Sequence, residues 1–212
     1  KYATGEVIKH PLGFDMKLKE PLDFYAVTDH GFYMGMIENY ADTSSEMSKN
    51  EWTKPMHNLN RPENVTVESL GARADLFSSV LTQAIINPYP YWHPKVWKAW
   101  FTNNIQVALQ SFDYDVHKSA WADVANAAEE FNDPGKFTTF IGYEFTTSTD
   151  VEGGNLHRNV IFNSSNAPIR PWTRIDSINP EDLWTWMDGL RDKGVDSLAM
   201  PHNSNGSNGQ MF

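Results

Sequence analysis

Short apolar runs bounded by Pro, Gly and Asn recur along this chain between longer segments in which apolar and polar residues mix. The apolar runs predict buried strands at residues 23–28, 137–145, 157–162 and 197–200. The second run has the strongest strand pattern, and the third follows it closely enough to be its hairpin partner. The pattern therefore predicts four strands spread over the whole chain.

Helical periodicity fills the segments between these strands. Apolar residues that recur every three or four positions predict helices from Thr66 to Asn87, over 94–109, over 117–131 and over 180–191. A weaker pattern predicts that residues 34–47 open a helix that frays in the polar stretch behind it. This order of elements indicates the α/β class, with long helical insertions and no internal repeat.

The composition excludes several classes of protein. A length of 212 residues fits one domain or a large part of one. The formal net charge of −10, from 17 basic and 27 acidic residues, argues against a nucleic-acid-binding surface. No run approaches the roughly 18 apolar residues of a membrane-spanning helix. The absence of Cys excludes disulfides and thiolate metal sites, and it suits the periplasm or the cell exterior without establishing either.

Four potential metal ligands stand at the ends of the predicted strands: His30, Glu144, His157 and His202. Imidazole and carboxylate groups bind Zn, Mn and Fe in proteins. Because strand ends are where α/β barrels carry their catalytic groups, this placement indicates one metal site assembled from distant segments. The ordinary structural alternatives are histidines that cap turns and a glutamate exposed at a strand end.

Three further residues lie beside these candidate ligands. Asp29 can orient His30 or bind a water molecule. Arg158 suits a phosphate or sulfate oxyanion, and Asn203 opens an Asn/Gly/Ser-rich loop, 203–209, whose amides can cradle an anion. A surface arginine and a mobile loop are the structural alternatives. The other histidines are expected to be structural: His10, His57, His93 and His117.

Several motifs give the chain a resemblance to known proteins. Val27–His30 (VTDH) resembles the second signature of the polymerase and histidinol phosphatase (PHP) superfamily, and Met200–Asn203 (MPHN) resembles its later Pro-His motif. More closely, the chain from near Gly5 to its last residue resembles the PHP-like family catalogued as domain of unknown function 3604. The segments that carry this resemblance are His10–Gly13, Pro21–His30, Phe140–Thr146, Asn155–Phe162 and Pro201–Phe212.

The resemblance implies a fold and a mechanism. It implies a distorted TIM-like barrel that holds two or three divalent metal ions at the C-terminal ends of its strands. His30, His157 and His202 would be imidazole ligands, Glu144 a carboxylate bridging two ions, and Asp29 a supporting residue or occasional ligand. Proteins of this superfamily mostly hydrolyse phosphate esters, with a bridging water converted to hydroxide and a cation such as Arg158 holding the ester oxygens.

Two family motifs are absent from these 212 residues. The His-x-His pair of the first strand and the late Asp-x-His motif of the superfamily have no counterpart. The chain also offers about four or five strands, which is too few for a closed barrel. We therefore expect residues 1–212 to form a single but partial PHP-like domain, a TIM-like barrel incomplete in this span. Activity from this span alone is then expected to be reduced or absent.

The leading hypothesis is a metal-dependent hydrolase, in particular a phosphoesterase acting on a small-molecule ester through a metal-bound hydroxide. A metallohydrolase of sulfate esters or amides is an alternative, because the same site supports several reactions. A second alternative is a non-catalytic module that binds carbohydrate through its aromatic residues, which include eight Trp. The His/Glu cluster would then be structural or degenerate. The sequence does not reveal the substrate, the metal or the oligomeric state.

Overall fold

The computed structural model describes residues 1–10, 12–59, 61–69, 71–72, 74, 112–148 and 154–211. Within these ranges the chain forms seven short strands and three α-helices. The strands are β1 (Ile8–Lys9), β2 (Asp15–Met16), β3 (Phe24–Ala26), β4 (Thr138–Phe140), β5 (Gly142–Phe145), β6 (Arg158–Phe162) and β7 (Ser197–Pro201). The helices are α1 (Met36–Ala41), α2 (Tyr114–Glu130) and α3 (Pro180–Arg191), and 3₁₀ turns form at Met47–Lys49, Glu51–Met56, Pro62–Asn64 and Ser204–Gly206.

Three small sheets contain these strands. β1 and β2 form an antiparallel pair, β3 and β4 form a parallel pair, and β5, β6 and β7 form an antiparallel sheet in that order. The predicted strand 137–145 is thus divided at Ile141 into β4 and β5. β4 pairs with β3, whereas β5 pairs with β6, so one nearly continuous extended segment serves two sheets.

The expectation of a TIM-like barrel is wrong for the described residues. None of their three sheets closes on itself. A TIM barrel needs about eight parallel strands, each followed by a helix that returns the chain to the same end of the barrel. Here β3 and β4 are the parallel pair among the described strands, and β5 to β7 alternate in direction. Antiparallel pairing of neighbouring strands is incompatible with that architecture.

The helices predicted at 117–131 and 180–191 are present in the structure as α2 and α3. α3 has the predicted bounds, because Asn179 caps its first turn by accepting a hydrogen bond from Glu181 N and Gly194 beyond it adopts φ +81°. α2 begins three residues earlier than predicted, because the Asp113 side chain accepts from the backbone amides of Asp115 and Val116. The predicted helices at 66–87 and 94–109 lie largely outside the described residues.

The predicted helix at 34–47 is shorter in the structure and ends at Ala41. Asp42 leaves the helical conformation, and its carboxylate accepts hydrogen bonds from Ser44 N and Ser44 Oγ at 2.9 and 2.7 Å. A short acidic side chain that bonds to the backbone two residues ahead competes with helix continuation. This local turn explains why the apolar pattern overstated the length of α1.

The main core lies between the helices and one face of the three-stranded sheet. It consists of Trp121 from α2, Leu183 and Met187 from α3, Ile141 between β4 and β5, and the strand residues Tyr143, Phe145, Val160 and Phe162. Burying each large apolar side chain contributes roughly 1.5–3 kcal/mol, so this cluster holds α2 and α3 against the sheet. None of the described helices is long and apolar enough to cross a bilayer.

The start of α1 depends on a glycine. Gly35 adopts φ +77°, and a Cβ atom there would lie 2.7 Å from the Cβ of Ala120 on α2. Gly135 also has a positive φ, of +92°, but a Cβ there would meet no atom within 4 Å. Both glycines therefore have a left-handed backbone conformation that favours glycine. Of the two, only Gly35 is also closely packed against another helix.

We expect Gly35→Ala to destabilise the protein more than Gly135→Ala. Both changes carry a left-handed backbone cost of roughly 1–2 kcal/mol, and overpacking against α2 adds roughly 1–3 kcal/mol at Gly35 alone. Urea denaturation of the two variants measures the difference in the free energy of unfolding. Equal losses in both would show that α1 and α2 are not in close contact at this point.

Candidate functional site

The candidate site is built around the carboxylate of Glu144 on β5. Its strand neighbours Tyr143 and Phe145 point into the core between the sheet and the helices, so Glu144 projects from the opposite face. The register pairs Glu144 with Asn159 of β6, and Asn159 with Met200 of β7. Glu144 is only 4% exposed. A buried carboxylate is unfavourable unless nearby groups compensate its charge.

Two imidazoles approach Glu144 from β6 and β7. His157 immediately precedes β6 and His202 immediately follows β7, and the backbone amide of His202 donates to the carbonyl of His157 at 2.9 Å. Because both residues are two positions from Asn159 and Met200, they share the face of Glu144. His157 Nδ1 lies 2.8 Å from Glu144 Oε1, and His202 Nε2 lies 3.4 Å from Oε2.

The third imidazole comes from the segment behind β3. Glu144 N donates to Asp29 O at 2.8 Å, and Gly31 N donates to Glu144 O at 2.9 Å. This parallel bridge holds His30 beside Glu144, with His30 Nδ1 3.0 Å from Oε1. A Cβ on Gly31 would lie 2.6 Å from the Tyr143 ring, so the close approach of the two segments requires glycine at that position.

Thr146 belongs to the same cluster, although its residue type did not mark it as a potential metal ligand. Its hydroxyl Oγ1 lies 2.7 Å from His30 Nδ1 and donates to Glu144 Oε1 at 2.9 Å. Thr146 is two residues beyond Glu144, so strand alternation places it on the same face. That alternation is the sequence signal that could have identified it.

Electrostatics in the cluster favours an ionised Glu144 beside a protonatable His30. Burial alone would raise the pKa of Glu144, but the contacts with His157, His30 and Thr146 hold it well below its usual range. The contact with Glu144 raises the pKa of His30 above its ordinary 6.5, while burial acts in the opposite direction. The charge of Asp29 also contributes to raising it.

The donor set of the cluster fits a divalent metal ion in its chemistry. Three imidazoles and one carboxylate are typical ligands of Zn, Mn and Fe. His157 Nδ1 is buried and makes no hydrogen bond of acceptable angle despite its proximity to Oε1, so its lone pair or proton lacks a satisfying partner. Two ligands with bonds of about 2.0–2.2 Å to one ion are themselves about 3.0–3.5 Å apart, close to the separations seen here.

The side chains as they stand do not surround a metal position. In the part of the chain that the structure describes, no group of three or more His, Cys, Asp or Glu residues is arranged to hold an ion. The physical reason is direct contact, because the Glu144 oxygens occupy the space between the imidazole nitrogens. Metal binding would therefore require the carboxylate and at least one ring to move apart slightly.

The other three predicted site residues do not converge on Glu144. The exposed side chain of Asp29 alternates with that of His30 and borders an apolar cleft together with Tyr25 and Val27. Asn203 follows His202 in a left-handed conformation, φ +57°, and is exposed. Asp29 thus contributes its backbone carbonyl and its charge to the cluster. Asn203 is the sequence neighbour of His202.

Arg158 lies on the other face of β6 from Glu144. The register pairs Arg158 with Phe145, and its guanidinium lies over the Trp184 ring of α3, with Cζ 5.8 Å from the ring centroid. Its Nη1 donates to the carbonyl of Leu156. The expectation that Arg158 faces the substrate side of the cluster therefore lacks geometric support, because strand alternation directs it toward the helix.

The remaining described histidines are outside the cluster. His57 Nε2 lies 3.0 Å from Ser48 O, and His10 Nδ1 accepts from Leu12 N at 3.1 Å. His117 is fully buried on α2 and donates from Nε2 to Gly31 O at 2.7 Å, so it supports the segment that carries His30. Burial lowers the pKa of His117. His93 lies outside the described residues.

Comparison with known families gives one match over the whole chain. Residues 1–212 match the family described as "Protein of unknown function (DUF3604)". The chain belongs to the DUF3604 family. No curated protein and no solved structure matches it. Membership of DUF3604 therefore groups this chain with relatives without assigning an activity, and the cluster itself must carry any functional argument.

We expect His30 of this DUF3604 protein, free of metal, to titrate above pH 6.5, and Glu144→Gln to lower its pKa because Glu144 is the largest cause of the shift. The raised pKa stabilises the fold fully below pH 6.5, and this contribution is lost as the pH rises through the folded-state value. NMR titration of the imidazole protons measures both proteins. An unchanged His30 pKa in the variant, with exposed Glu130→Gln as the control, would contradict the assigned contact.

Proposed function

We propose that this DUF3604 protein is a metal-dependent hydrolase whose site is the Glu144 cluster, with phosphate esters as its favoured substrate class. The single observation that supports this is the convergence of three imidazoles on one buried carboxylate. His30, Glu144, His157 and His202 come from four separated segments, and each imidazole has a nitrogen within 3.4 Å of a Glu144 oxygen. Structural histidines rarely need such an arrangement, whereas metal sites depend on it.

The cluster is open on one side. The side chains of His30 and His202 are 44% and 40% exposed, whereas Glu144 lies beneath them. A divalent ion held there would supply Lewis-acid chemistry, lowering the pKa of a water molecule and polarising an ester oxygen. The exposure of the two imidazoles gives water and a small-molecule ester access to the same point.

The residues of this chain have separable roles in the proposal. His30 Nδ1 faces Glu144 and Thr146, so an ion shared by His30 and Glu144 would take the place of this direct contact. His157 and His202 are the other proposed ligands. Glu144 supplies the negative charge that balances the ion, either as a ligand or by orienting the rings. Thr146 fixes the position of that carboxylate.

Membership of the PHP superfamily is part of this proposal. It is supported by the resemblance of Val27–His30 and Met200–Asn203 to two superfamily motifs, whose histidines are two of the three that meet at Glu144. The preference for phosphate esters over sulfate esters or amides follows from that resemblance. The cluster geometry alone supports hydrolysis in general.

A structural role for the cluster is the second candidate. Glu144 already has close contacts with His30, His157 and Thr146, and these hold its pKa low without a metal ion. A ligand-binding module could use such a network to join β3, β5, β6 and β7 without catalysis. Metal content separates this candidate from the hydrolase.

Glu144→Gln keeps the side-chain shape and removes the charge. If the cluster binds metal, the variant should lose at least one metal equivalent and nearly all hydrolysis of phosphate monoesters, because the ions lose their compensating charge. Elemental analysis and turnover on a panel of phosphate esters, sulfate esters and amides measure both losses. Glu130→Gln at the exposed end of α2 is the matched control and should change neither.

A structural role for Glu144 predicts different results from the same experiments. If Glu144 is structural, wild-type protein purified with Zn, Mn or Fe should contain no stoichiometric metal. Metal content decides between the two candidates, because this span alone is expected to have reduced activity or none. Metal binding that survives Glu144→Gln unchanged, in stoichiometry and affinity, would also remove Glu144 from the site.

A further inference from the structure

Arg174 is a buried cation that the proposed chemistry does not use. It begins the turn 174–176 and is only 6% exposed. Its Nε and Nη2 are shielded from solvent and have no hydrogen-bond partner in the described structure. A guanidinium carries its charge at any physiological pH, so these are two unsatisfied donors on a permanently charged group.

No described carboxylate is paired with Arg174. The acid closest in sequence is Asp176, which is held by Arg170 through Nη1 and Nη2 at 2.8 and 2.5 Å. Asp176 also accepts from Thr173 N at 2.9 Å. Burial lowers the pKa of Arg174, and no acidic neighbour offsets it. Leaving the Arg174 charge buried without a partner is strongly unfavourable. An anion that binds beside the guanidinium would therefore be strongly stabilised.

The unsatisfied atoms lie on one edge of the guanidinium. Arg174 Cζ lies over the Phe32 ring, 5.8 Å from the ring centroid. Nε and Nη2 lie on the same in-plane edge of the guanidinium, which is the fork that binds two oxygens of a carboxylate, phosphate or sulfate. This edge is buried and makes no hydrogen bond in the described structure.

Arg174 is close to the Glu144 cluster. The Phe32 ring centroid is 5.8 Å from that of His30, so Arg174 Cζ lies within about 12 Å of the His30 ring. The buried Thr147 Oγ1 donates to Ile178 O at 2.8 Å and ties the segment behind Arg174 to the end of β5. A separation of at most about 12 Å between Arg174 Cζ and the His30 ring is within the length of a small substrate.

We propose that Arg174 binds an oxyanion at the far end of the ligand, which makes the substrate an ester that carries a second anionic group. The assignment of that anion to a substrate rests on the proposed function, whereas anion binding by Arg174 does not. The shared chemistry is a group with two oxygens in one plane, as in a carboxylate, a phosphate or a sulfate.

The test is the thermal stability of protein stripped of metal and returned to chelator-free buffer. Phosphate, sulfate and acetate are titrated against chloride at matched ionic strength. Wild-type protein should show a saturable rise in midpoint with at least one oxyanion, beyond the gradual rise that phosphate and sulfate give any protein. Arg174→Met should lose the saturable part, and Arg174→Lys should weaken the affinity at least about tenfold because the fork is gone.

Arg158→Met is the matched control, since Arg158 is also a buried arginine outside any described ion pair. It should keep the saturable response. Without oxyanions, Arg174→Met should unfold at a higher temperature than wild type, because the uncompensated charge is gone. If Arg174→Met does not fold, Arg174→Lys still tests the proposal, because lysine keeps the positive charge and lacks the paired N–H donors of the guanidinium.

Two results would overturn the proposal: a saturable response that is unchanged in both Arg174 variants, or no saturable response to any of the three anions in wild type. Loss of the response in Arg158→Met instead would also overturn it by assigning the anion to Arg158. Failure of the hydrolase proposal looks different, because metal and turnover would be absent while the Arg174-dependent response persists. Glu144→Gln should retain that response.

Discussion

The buried carboxylate of Glu144 is the constraint on which the arrangement of the strands depends. Removing an ionised carboxylate from water is costly, and here His30, His157 and Thr146 compensate within 3.0 Å, with His202 at 3.4 Å. Each partner comes from a different strand end or from the same strand. The cluster therefore stabilises one mutual placement of β3, β5, β6 and β7, because other placements would leave the Glu144 charge buried without partners.

The sheet supports this placement by dividing its two faces. Tyr143, Phe145, Val160 and Phe162 point toward α2 and α3 and supply the apolar free energy, whereas Glu144 and the imidazoles occupy the other face. Glycines permit the close approach of the strands. A Cβ on Gly142 would lie 3.0 Å from Val160 O, and one on Gly31 would clash with the Tyr143 ring. The apolar core and the Glu144 cluster thus lie on opposite faces of the same strands.

Local patterns in the sequence predicted α2, α3, β3, β6 and β7, because capping groups and apolar periodicity act over a few residues. They did not predict β1, β2 or the division of 137–145 into β4 and β5. The convergence on Glu144 was predictable because His30, His157 and His202, like Glu144 itself, stand at the ends of predicted strands. The expected barrel was wrong, and the observed sheet order was not predictable, because it depends on pairing between distant segments that periodicity does not report. Arg158 shows a finer limit: counting alternation back from Val160 and Phe162 would have placed it on the helix side. Arg174 lies in a turn, where no periodicity marks burial.

The negative net charge of the protein makes local positive groups important for binding an anionic ligand. A protein with a formal charge of −10 repels an anionic ester, so affinity must come from local positive groups. Glu144 with neutral imidazoles is a negative site, and a divalent ion would invert its sign. Arg174 is positive already, and both Arg174 and His30 are within 5.8 Å of the Phe32 ring centroid. In the proposed function the metal site and Arg174 are two positive points, with Arg174 Cζ at most about 12 Å from the His30 ring. A ligand that satisfies both has an anionic group at each end.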